Sequence, residues 1–408
     1  MNSKQICGLL GRKLGHSYSP QIHGILADYS YELFQKEPED VESFLKHGNW
    51  HGINVTIPYK KAVIPFLDEL SPTAARLGAV NTVVRTSDRK LIGHNTDYYG
   101  FRFMVEKSGL NPRGKKCLVL GSGGASATVV AVLQEMGGDV TVISRSGENN
   151  YQNIAQHTDA SILVNTTPVG MYPDTGISPV DLRALPGLEG VLDIVYNPAR
   201  TRLLMDAEEL GLTALGGLWM LVAQAKEAAE WFLGTSLQDS LITKGWQSVR
   251  NDMENIILIG MPGCGKSTTA RLLQDAMPER PIVEIDAEIE KAAGKSIPEI
   301  FAQDGEEAFR ALETDVLAKF CKGSGQIIST GGGCVTRERN YPILRQNGQL
   351  FWLKRDISQL PTDGRPLSQA GKLEEMYRIR KPLYEQFADH TVGSGDIAAI
   401  VAIMGGLK

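Results

Sequence analysis

The stretch IILIGMPGCGKSTT, residues 256–269, constrains the fold of this chain more than any other. It places an apolar, strand-like run before the pattern G-x-x-x-x-G-K-[ST], which extends from Gly260 to Ser267, and a helix-forming segment after it. In this context the backbone N–H groups of the loop and the following helix N-terminus wrap phosphate groups. Lys266 is placed to reach the β- and γ-phosphates, and Ser267 is placed to ligate Mg²⁺. The sequence therefore predicts a parallel α/β domain that binds a nucleoside triphosphate.

A second glycine-rich turn lies in KKCLVLGSGGASATVVAVLQEMGGDVTVISRS, residues 115–146. Alone, such a turn often serves only close packing, but here the order of strand, turn, helix and strand is that of a βαβ dinucleotide-binding unit. The backbone contacts predicted for the cofactor diphosphate are Gly121, Gly123, Gly124 and Ala125. The second strand ends at Ser144-Arg145, and an arginine at this place accepts a 2′-phosphate, whereas an acidic residue takes the ribose hydroxyls. The pattern favours NADP(H) over NAD.

The 408 residues suffice for two to three domains at roughly 150 residues each. Alternating short apolar runs and helical segments predict an α/β substrate-binding domain at 1–99, completed by helices from about 220 to 245. The βαβ unit and two further strand-like runs predict a Rossmann-type domain at 100–219. We place a charged linker at 244–253 and the P-loop domain at 254–408.

Composition excludes several classes of protein. Apolar residues make up 42% and charged residues 22% of the chain, as in ordinary globular proteins. A net charge of −5 argues against a nucleic-acid partner, and no apolar run approaches the roughly 18 residues of a membrane span. The five cysteines are scattered, which fits reduced thiols better than a disulfide framework or a zinc site. We expect a cytoplasmic protein with small-molecule substrates, either a monomer or a homodimer.

Several motifs follow the phosphate loop, namely VEIDAEIEKAAGKSIPEIFAQDGEEAFRALE, IISTGGGCV, DGRPLSQA and RIRKPLYEQFA. Together they make residues 254–408 resemble shikimate kinase. The resemblance implies ATP and Mg²⁺ as cofactors, and it implies that Asp286 holds the acceptor hydroxyl and acts as the base. It further implies that Arg310 and Arg380 bind the substrate carboxylate. Arg365, in the lid, would contact the phosphate group that is being transferred. The residues it assigns to close backbone approach or to the nucleotide are Gly331, Gly332, Gly333, Gly263, Cys264, Gly265, Lys266, Ser267 and Thr268.

Two features depart from the pattern of that family. Glu284 stands where an aspartate is usual, two residues before Asp286, and this leaves the outer-shell contact to Mg²⁺ open. The segment QLPTDGRPLS also has no arginine ahead of Arg365 that could stack on adenine. Recognition of the nucleotide base is therefore open.

Before the first glycine turn the chain carries GHSYSP, NVTIPYKKAV, GAVNTVV and GHNTDYYGF, and after it NTTPVGMYP, DIVYNPARTRLL and GLWMLVAQA. These motifs are closely spaced and occur in a fixed order, and through them residues 5 to about 245 resemble shikimate dehydrogenase. The resemblance implies that Ser17 and Ser19 bind the substrate carboxylate. The residues it places around the ring hydroxyls are Asn54, Thr56, Asn81, Asp97 and Gln224.

Lys60 and Asp97 form the predicted chemical pair of this half. Reduction of a ketone requires a hydride on carbon and a proton on oxygen, and a lysine with a carboxylate partner can supply or accept that proton. The resemblance also places Tyr196 and Met220 at the seam between nicotinamide and substrate, although Met220 equally suits an ordinary core position. Trp219 stands where the family commonly has a smaller residue.

These patterns predict an α/β chain that joins a two-lobed, NADP-dependent shikimate dehydrogenase to a P-loop shikimate kinase. Two alternatives stay open at this stage. One is a quinate or related polyol dehydrogenase fused to the kinase. The other is a nucleotide-sensing regulator without turnover. The full set of acid, base and lid residues argues against this alternative, because a sensor does not need them.

Overall fold

A computed structural model of the chain describes residues 5–15, 17–360 and 370–405. It divides the chain into two compact units, the first comprising 1–171, 177–196 and 203–249, the second comprising 172–176, 197–202 and 250–408. The first unit carries two sheets and the second carries one. Among the described residues, no helix is both long enough and apolar enough to cross a membrane.

The first sheet has six strands in the order β2-β1-β3-β5-β6-β4. Aliphatic and aromatic side chains of its strands and helices pack together in a core. The central pairs β1–β2 and β1–β3 are parallel, whereas β3–β5 and β5–β6 are antiparallel. Its elements are β1 (Ile6–Gly11), α1 (Ser19–Leu26), β2 (Ser30–Gln35), α2 (Val41–His47), β3 (Gly52–Val55), α3 (Tyr59–Ala62), β4 (Glu69–Leu70), α4 (Pro72–Leu77), β5 (Thr82–Arg85) and β6 (Leu91–His94).

The second sheet is fully parallel, with five strands in the order β11-β10-β9-β7-β8. The strand order reverses between β7 and β9, and the carboxyl ends at such a switch point are where doubly wound sheets bind ligands. This confirms the predicted βαβ fold, with apolar cores on both faces of the sheet. Its elements are α5 (Asp97–Ser108), β7 (Lys116–Leu120), α6 (Gly124–Glu135), β8 (Asp139–Ile143), β9 (Ile162–Asn165), β10 (Gly190–Asp193), α7 (Arg202–Glu209), β11 (Thr213–Gly216) and α8 (Leu218–Leu233).

The segment predicted as a linker, 244–253, lies inside a helix, α9 (Ser240–Met253). Buried Ile242, Val249 and Met253, together with Trp246, repeat at the three- and four-residue spacing of one helix face. The charged residues between them obscure this repeat in the sequence. The boundary between the two compact units falls within α9, between Val249 and Arg250.

The third sheet, in the second unit, is also fully parallel, with the strand order β13-β14-β12-β15-β16. Its central strand β12 is buried at every position and leads directly into the phosphate loop, which confirms the strand, loop and helix context predicted for that motif. The elements are β12 (Asn255–Ile259), α10 (Lys266–Ala276), β13 (Ile282–Glu284), α11 (Ile285–Ala293), α12 (Ile297–Gln303), α13 (Gly305–Cys321), β14 (Ile327–Ser329), α14 (Asn340–Arg345), β15 (Gly348–Lys354), α15 (Ala370–Phe387), β16 (His390–Gly393) and α16 (Ile397–Gly405).

The predicted domain bounds of 1–99, 100–219 and 254–408 each enclose all strands of one sheet. The bounds themselves stay predictions. The short segments 172–176 and 197–202, which lie within the sequence of the dinucleotide-binding domain, are grouped with the second unit.

Candidate active sites

Lys60 and Asp97 are in direct contact in the first unit. Lys60 lies on the short helix α3, and Asp97 is the first residue of α5, where a helix N-terminus stabilises a carboxylate. The Lys60 Nζ donates to the Asp97 Oδ2 at 2.7 Å, and the side chains are 34% and 19% exposed. The pair is therefore formed in advance and open to a ligand that exchanges a proton with the ammonium group.

Neutral amides and hydroxyls lie next to this pair. The Asn81 Oδ1 accepts from the Thr96 backbone N–H at 2.7 Å, and its Nδ2 donates to the Thr96 Oγ1 at 3.0 Å. The Gln224 Oε1 accepts weakly from the Thr96 hydroxyl at 3.3 Å, while its Nε2 donates to the Leu221 carbonyl. Asn54 joins the same group, since its Nδ2 donates to the Thr82 Oγ1 at 3.2 Å. These side chains offer both donors and acceptors to the hydroxyls of a polyol.

The two predicted carboxylate-binding serines lie at the start of α1. The Ser19 backbone N–H donates to the Ser17 Oγ at 3.2 Å. Tyr31, on β2, lies beside the Ser19 side chain and donates its hydroxyl to the Asn54 Oδ1 at 2.7 Å. Burial raises the pKa of Tyr31, so its hydroxyl stays neutral at all ordinary pH values. No motif in the sequence indicated Tyr31, which lies between a serine of the carboxylate subsite and an amide of the hydroxyl subsite.

His23 supports Tyr31 from the other face. Its ring is stacked on the Tyr31 ring at a centroid distance of 4.0 Å, and its Nδ1 is 2.6 Å from the Tyr29 hydroxyl. Burial lowers the pKa of His23 to about 3, so the imidazole is neutral and serves as a packing and hydrogen-bonding group.

The remaining predicted residues of this half occupy three places. Thr56 directly follows β3, and its backbone N–H donates to the Leu10 carbonyl at 2.9 Å. Tyr196 lies edge-on to Tyr18 at 6.5 Å, and burial raises its pKa. Met220 lies in the first turn of α8, is 8% exposed and belongs to the core beside the parallel sheet, as the core alternative predicts.

The predicted dinucleotide cradle lies at the carboxyl end of β7. Gly121 has φ +100°, a left-handed conformation that favours glycine, and Gly123 caps the N-terminus of α6. A side chain at Gly123 or Gly124 would meet no atom within 4 Å, so the space over this helix end is open to a ligand. Ala125 is in the first turn of α6. A helix N-terminus with open space above it fits a diphosphate.

Ser144 and Arg145 directly follow β8, the strand beside the cradle. The Ser144 hydroxyl donates to the Ser146 carbonyl and closes a turn. Arg145 is exposed and makes no hydrogen bond or ion pair within the part of the chain that the structure describes. A free guanidinium at this position fits a 2′-phosphate and would be left without a partner by an unphosphorylated ribose.

The phosphate loop of the second unit is held by its own side chains. The Lys266 Nζ donates to the carbonyls of Gly260 and Met261 at 2.9 and 3.1 Å, and the Cys264 backbone N–H donates to the Met261 carbonyl at 3.1 Å. Gly265 has φ +100° and leads directly into α10. Lys266 is thus aimed across the loop, where a phosphate would compete with the two carbonyls for the ammonium group.

Ser267 and Glu284 meet at the predicted metal position. The Ser267 Oγ donates to the Glu284 Oε2 at 3.0 Å, so the longer glutamate reaches the hydroxyl of the loop directly. Hydroxyl and carboxylate oxygens are the ligands that Mg²⁺ prefers, with the nucleotide phosphates completing its shell. No group of three or more histidine, cysteine or acidic side chains elsewhere in the described ranges could hold a metal ion. The oxygens present fit Mg²⁺ carried in with a nucleotide.

A cavity of about 480 Å³ opens beside this loop. Asp286, at the start of α11, faces it, and the surrounding protein raises the pKa of this carboxyl by burial, with the Lys266 cation opposing the shift. Arg310 and Arg380 lie on α13 and α15 and line the same cavity. The predicted base and both predicted carboxylate-binding arginines are therefore brought together with the phosphate loop.

Arg310 is held in place by Glu313, a residue that no sequence motif indicated. Its Nη1 donates to the Glu313 Oε2 at 2.8 Å, one turn along α13, and the two side chains are 5% and 0% exposed. Burial raises the pKa of Glu313, although the adjacent guanidinium favours the charged form. The i, i+3 spacing of the two residues on a helix is the sequence signal that could have revealed the pair.

The three glycines after β14 allow close approach of these groups. A Cβ on Gly333 would lie 2.3 Å from an Arg310 Nη atom, and a Cβ on Gly331 would lie 2.8 Å from the Glu313 Oε1. The Gly332 carbonyl accepts from Arg380 Nη1 at 3.0 Å and from the Tyr384 hydroxyl at 2.5 Å. Tyr384, also absent from the sequence prediction, is four residues after Arg380 on α15 and stacks on Trp352. Arg365, the predicted lid arginine, and its segment lie outside the described residues.

The fold and the two sites define the class of protein: a nicotinamide-dependent oxidoreductase and a P-loop phosphotransferase in one chain. Family models give the particular families. The model "Shikimate dehydrogenase substrate binding domain" matches residues 9–83, and the model "Shikimate kinase" matches residues 262–402. The chain belongs to the shikimate dehydrogenase family, and its C-terminal part is a shikimate kinase domain.

Relatives of known name or structure extend over the first part of the chain. The shikimate dehydrogenase (NADP(+)) of Clostridium beijerinckii is 36% identical over 263 residues, which are 59% of this chain and 96% of the relative. A solved chorismate mutase/shikimate 5-dehydrogenase fusion protein from Clostridium acetobutylicum is 35% identical with a TM-score of 0.58, covering 60% of this chain and 97% of that one. The shikimate 5-dehydrogenase of Thermus thermophilus, solved in complex with NADP(H) and shikimate, is 32% identical with a TM-score of 0.55, covering 60% and 99%.

Proposed function

We propose that this chain catalyses two consecutive reactions on one small molecule. The first is the NADPH-dependent reduction of 3-dehydroshikimate to shikimate, and the second is the ATP-dependent phosphorylation of shikimate to shikimate 3-phosphate. Membership of both families supports a role in the shikimate pathway, which leads to chorismate and the aromatic amino acids. The observation that carries the proposal is the presence of the Lys60–Asp97 pair in one unit and of Lys266 and Asp286 around one cavity in the other.

In the reduction, bound NADPH supplies the hydride. The Lys60 ammonium donates a proton to the carbonyl oxygen as that oxygen gains electrons, and the Asp97 carboxylate holds the ammonium in place. Asn54, Asn81 and Gln224 orient the ring through its hydroxyls, and the reverse reaction uses the same groups with the proton moving back to Lys60. A positioned acid of this kind contributes about 10²- to 10⁴-fold to the rate.

In the phosphorylation, ATP with Mg²⁺ supplies the phosphoryl group. Asp286 accepts the proton of the attacking 3-hydroxyl, and its raised pKa makes the carboxylate a stronger base. Arg310 and Arg380 hold the shikimate carboxylate, for which the guanidinium fork is geometrically matched. Lys266 and the N-terminus of α10 stabilise the charge that develops on the phosphate oxygens.

The geometry supports one assignment of the residues that bind the cofactors. Gly121, Gly123, Gly124 and Ala125 would hold the NADP(H) diphosphate, with Arg145 on the 2′-phosphate, and the loop from Gly263 to Thr268 would hold ATP, with Ser267 on Mg²⁺.

The five cysteines are all buried and form no disulfide, which suits a reducing compartment such as the cytoplasm. The partners we propose are small molecules, and either a monomer or a homodimer would serve.

Two activity assays on the purified chain test this function. With shikimate and NADP⁺ we expect NADPH formation, and with shikimate and ATP–Mg²⁺ we expect ADP and shikimate 3-phosphate. Quinate at equal concentration is the control substrate and should react far more slowly in the first assay. Faster oxidation of quinate would support the polyol dehydrogenase instead, and nucleotide binding without turnover in both assays would support a sensor.

A further inference from the structure

Arg355 is the first residue after β15, the strand that pairs with the strand leading into the phosphate loop. In this parallel pair Leu258 is opposite Phe351, and Ile259 is opposite Trp352. A Cβ on Gly260, the first glycine of the loop, would lie 2.9 Å from the Leu353 carbonyl oxygen. The backbone two residues before Arg355 therefore touches the loop.

Lys354, the residue before Arg355, is connected to the phosphate loop through Ser394. The Lys354 carbonyl accepts from the Ser394 backbone N–H at 3.2 Å, and the Ser394 hydroxyl donates to the Cys264 carbonyl. Ser394 also lies close to Gly265, since a Cβ there would be 2.7 Å from its Oγ. The backbone just before Arg355 is thus in contact with the start of the loop and, through Ser394, is hydrogen-bonded to Cys264 in its second half.

The side chain of Arg355 lines the cavity and is exposed there. Within the described ranges it makes no hydrogen bond or ion pair, whereas Arg310 is bonded to Glu313 and Arg380 to the Gly332 carbonyl. A cation that has no partner among the described residues, at the edge of a phosphate site, has its donors available for a ligand.

The strand order places Arg355 on one particular side of the site. Asp286 and Gly331 follow β13 and β14, which lie to one side of β12, whereas Arg355 follows β15, on the other side. The acceptor groups and Arg355 are therefore separated by the phosphate loop. Arg380 donates to the Gly332 carbonyl and the Arg310 guanidinium lies beside Gly333, so a substrate carboxylate held by the two arginines is on the β14 side of the loop.

We propose that Arg355 binds the phosphate chain of the nucleotide, opposite to Asp286, and is a nucleotide-binding residue of the kinase reaction. The inference rests on the proposed kinase function. Phosphate rather than adenine is the contact, because the backbone before Arg355 is attached to the loop that holds the phosphates.

The variant Arg355→Ala tests the proposal, with Lys354→Ala as the matched control. Lys354 carries the same charge on the neighbouring residue, but its ammonium lies 5.6 Å from the Trp352 ring and the side chain does not line the cavity. We expect the KM for ATP to rise about tenfold in Arg355→Ala, as the loss of a charge-assisted phosphate contact at an exposed site implies. The KM for shikimate, and the dehydrogenase activity, should stay unchanged. Arg355→Lys, which keeps a point charge, should lie between Arg355→Ala and the unaltered chain.

Displacement of a fluorescent ADP analogue separates this contact from catalysis. In Arg355→Ala, ADP and inorganic tripolyphosphate should compete about tenfold more weakly, while adenosine competes as before. Weaker competition by adenosine alone would show stacking on the base and overturn the proposal. A raised KM for shikimate, equal effects in Lys354→Ala, or unchanged ADP competition would overturn it as well. If the unaltered chain bound ADP in this pattern but failed to phosphorylate shikimate, the proposed function would fail while this contact stood.

Discussion

A methyl group at Gly333 should weaken substrate binding by the kinase, lower the stability of its domain and leave the dehydrogenase intact. The Cβ of Gly333→Ala would lie 2.3 and 2.4 Å from the two Nη atoms of Arg310 and 2.5 Å from its Cζ. Since ordinary contacts between carbon atoms are about 3.5 to 4.0 Å, the guanidinium must move by roughly 1 Å or more. That movement takes it out of hydrogen-bonding range of Glu313, from which it is now 2.8 Å distant.

Two consequences follow, and their sizes can be estimated. Breaking a buried ion pair destabilises a protein by about 3 to 5 kcal/mol, and protonation of Glu313, whose pKa burial already raises, limits the loss to the lower end, about 3 kcal/mol. Loss of one charge-assisted contact to the substrate carboxylate is worth about 1.5 to 3 kcal/mol, so the KM for shikimate in the kinase reaction should rise about 10- to 100-fold.

Thermal inactivation and steady-state kinetics on the same sample measure both effects. The kinase should lose activity at a lower temperature than in the unaltered chain, whereas the dehydrogenase, measured in the same tubes, should inactivate as before. Gly405→Ala is the control, because a Cβ there meets nothing within 4 Å. An unchanged shikimate KM, or a parallel loss of both activities, would refute the packing argument around Arg310.

Three further changes test other parts of the account. Lys60→Ala should lower dehydrogenase turnover about 10²- to 10⁴-fold and leave phosphorylation of shikimate unaltered, and a parallel fall of both rates would indicate unfolding instead. Arg145→Ala should raise the KM for NADP(H) about 3- to 30-fold and barely change that for NAD(H), while an equal rise for both cofactors would mean that Arg145 only supports the end of its strand. Burial raises the pKa of Glu227 from 4.5 to about 7, so its ionisation should destabilise the fold as pH rises through that range. Glu227→Gln should therefore resist thermal inactivation of the dehydrogenase better than the unaltered chain at about pH 8, with a smaller advantage at about pH 5, and an advantage that did not grow with pH would contradict the assignment.

The parts of this molecule that could be predicted from sequence are those in which a short segment contains the whole signal. The loop from Gly260 to Ser267 includes its strand, its glycines and its helix start within a few residues, and the same is true of the βαβ unit around Gly121. Lys60 and Asp97 were predicted as a pair from the motifs around them. Their distance of 2.7 Å comes from the structure.

Other features depend on contacts between segments that are distant in sequence. Tyr31 gains its role from Ser19 and Asn54, on two other elements, and nothing in SYELF distinguishes it from an ordinary strand tyrosine. The strand order of the kinase sheet, which places Arg355 opposite Asp286, is likewise a result of tertiary packing. The helix over 244–253 was missed for a local reason, since charged residues mask its apolar repeat.

We propose that the two sites act one after the other on the same carbon skeleton. The most direct measurement follows 3-dehydroshikimate through the purified chain in the presence of NADPH and ATP–Mg²⁺, with shikimate and shikimate 3-phosphate quantified over time. We predict that shikimate forms first and is then converted to shikimate 3-phosphate, with one NADPH oxidised for each phosphate transferred. Lys266→Met should stop the sequence at shikimate, and Lys60→Ala should block it before shikimate while still phosphorylating added shikimate. Shikimate 3-phosphate made from 3-dehydroshikimate at an unaltered rate by Lys60→Ala, or no shikimate 3-phosphate from the unaltered chain, would contradict the account.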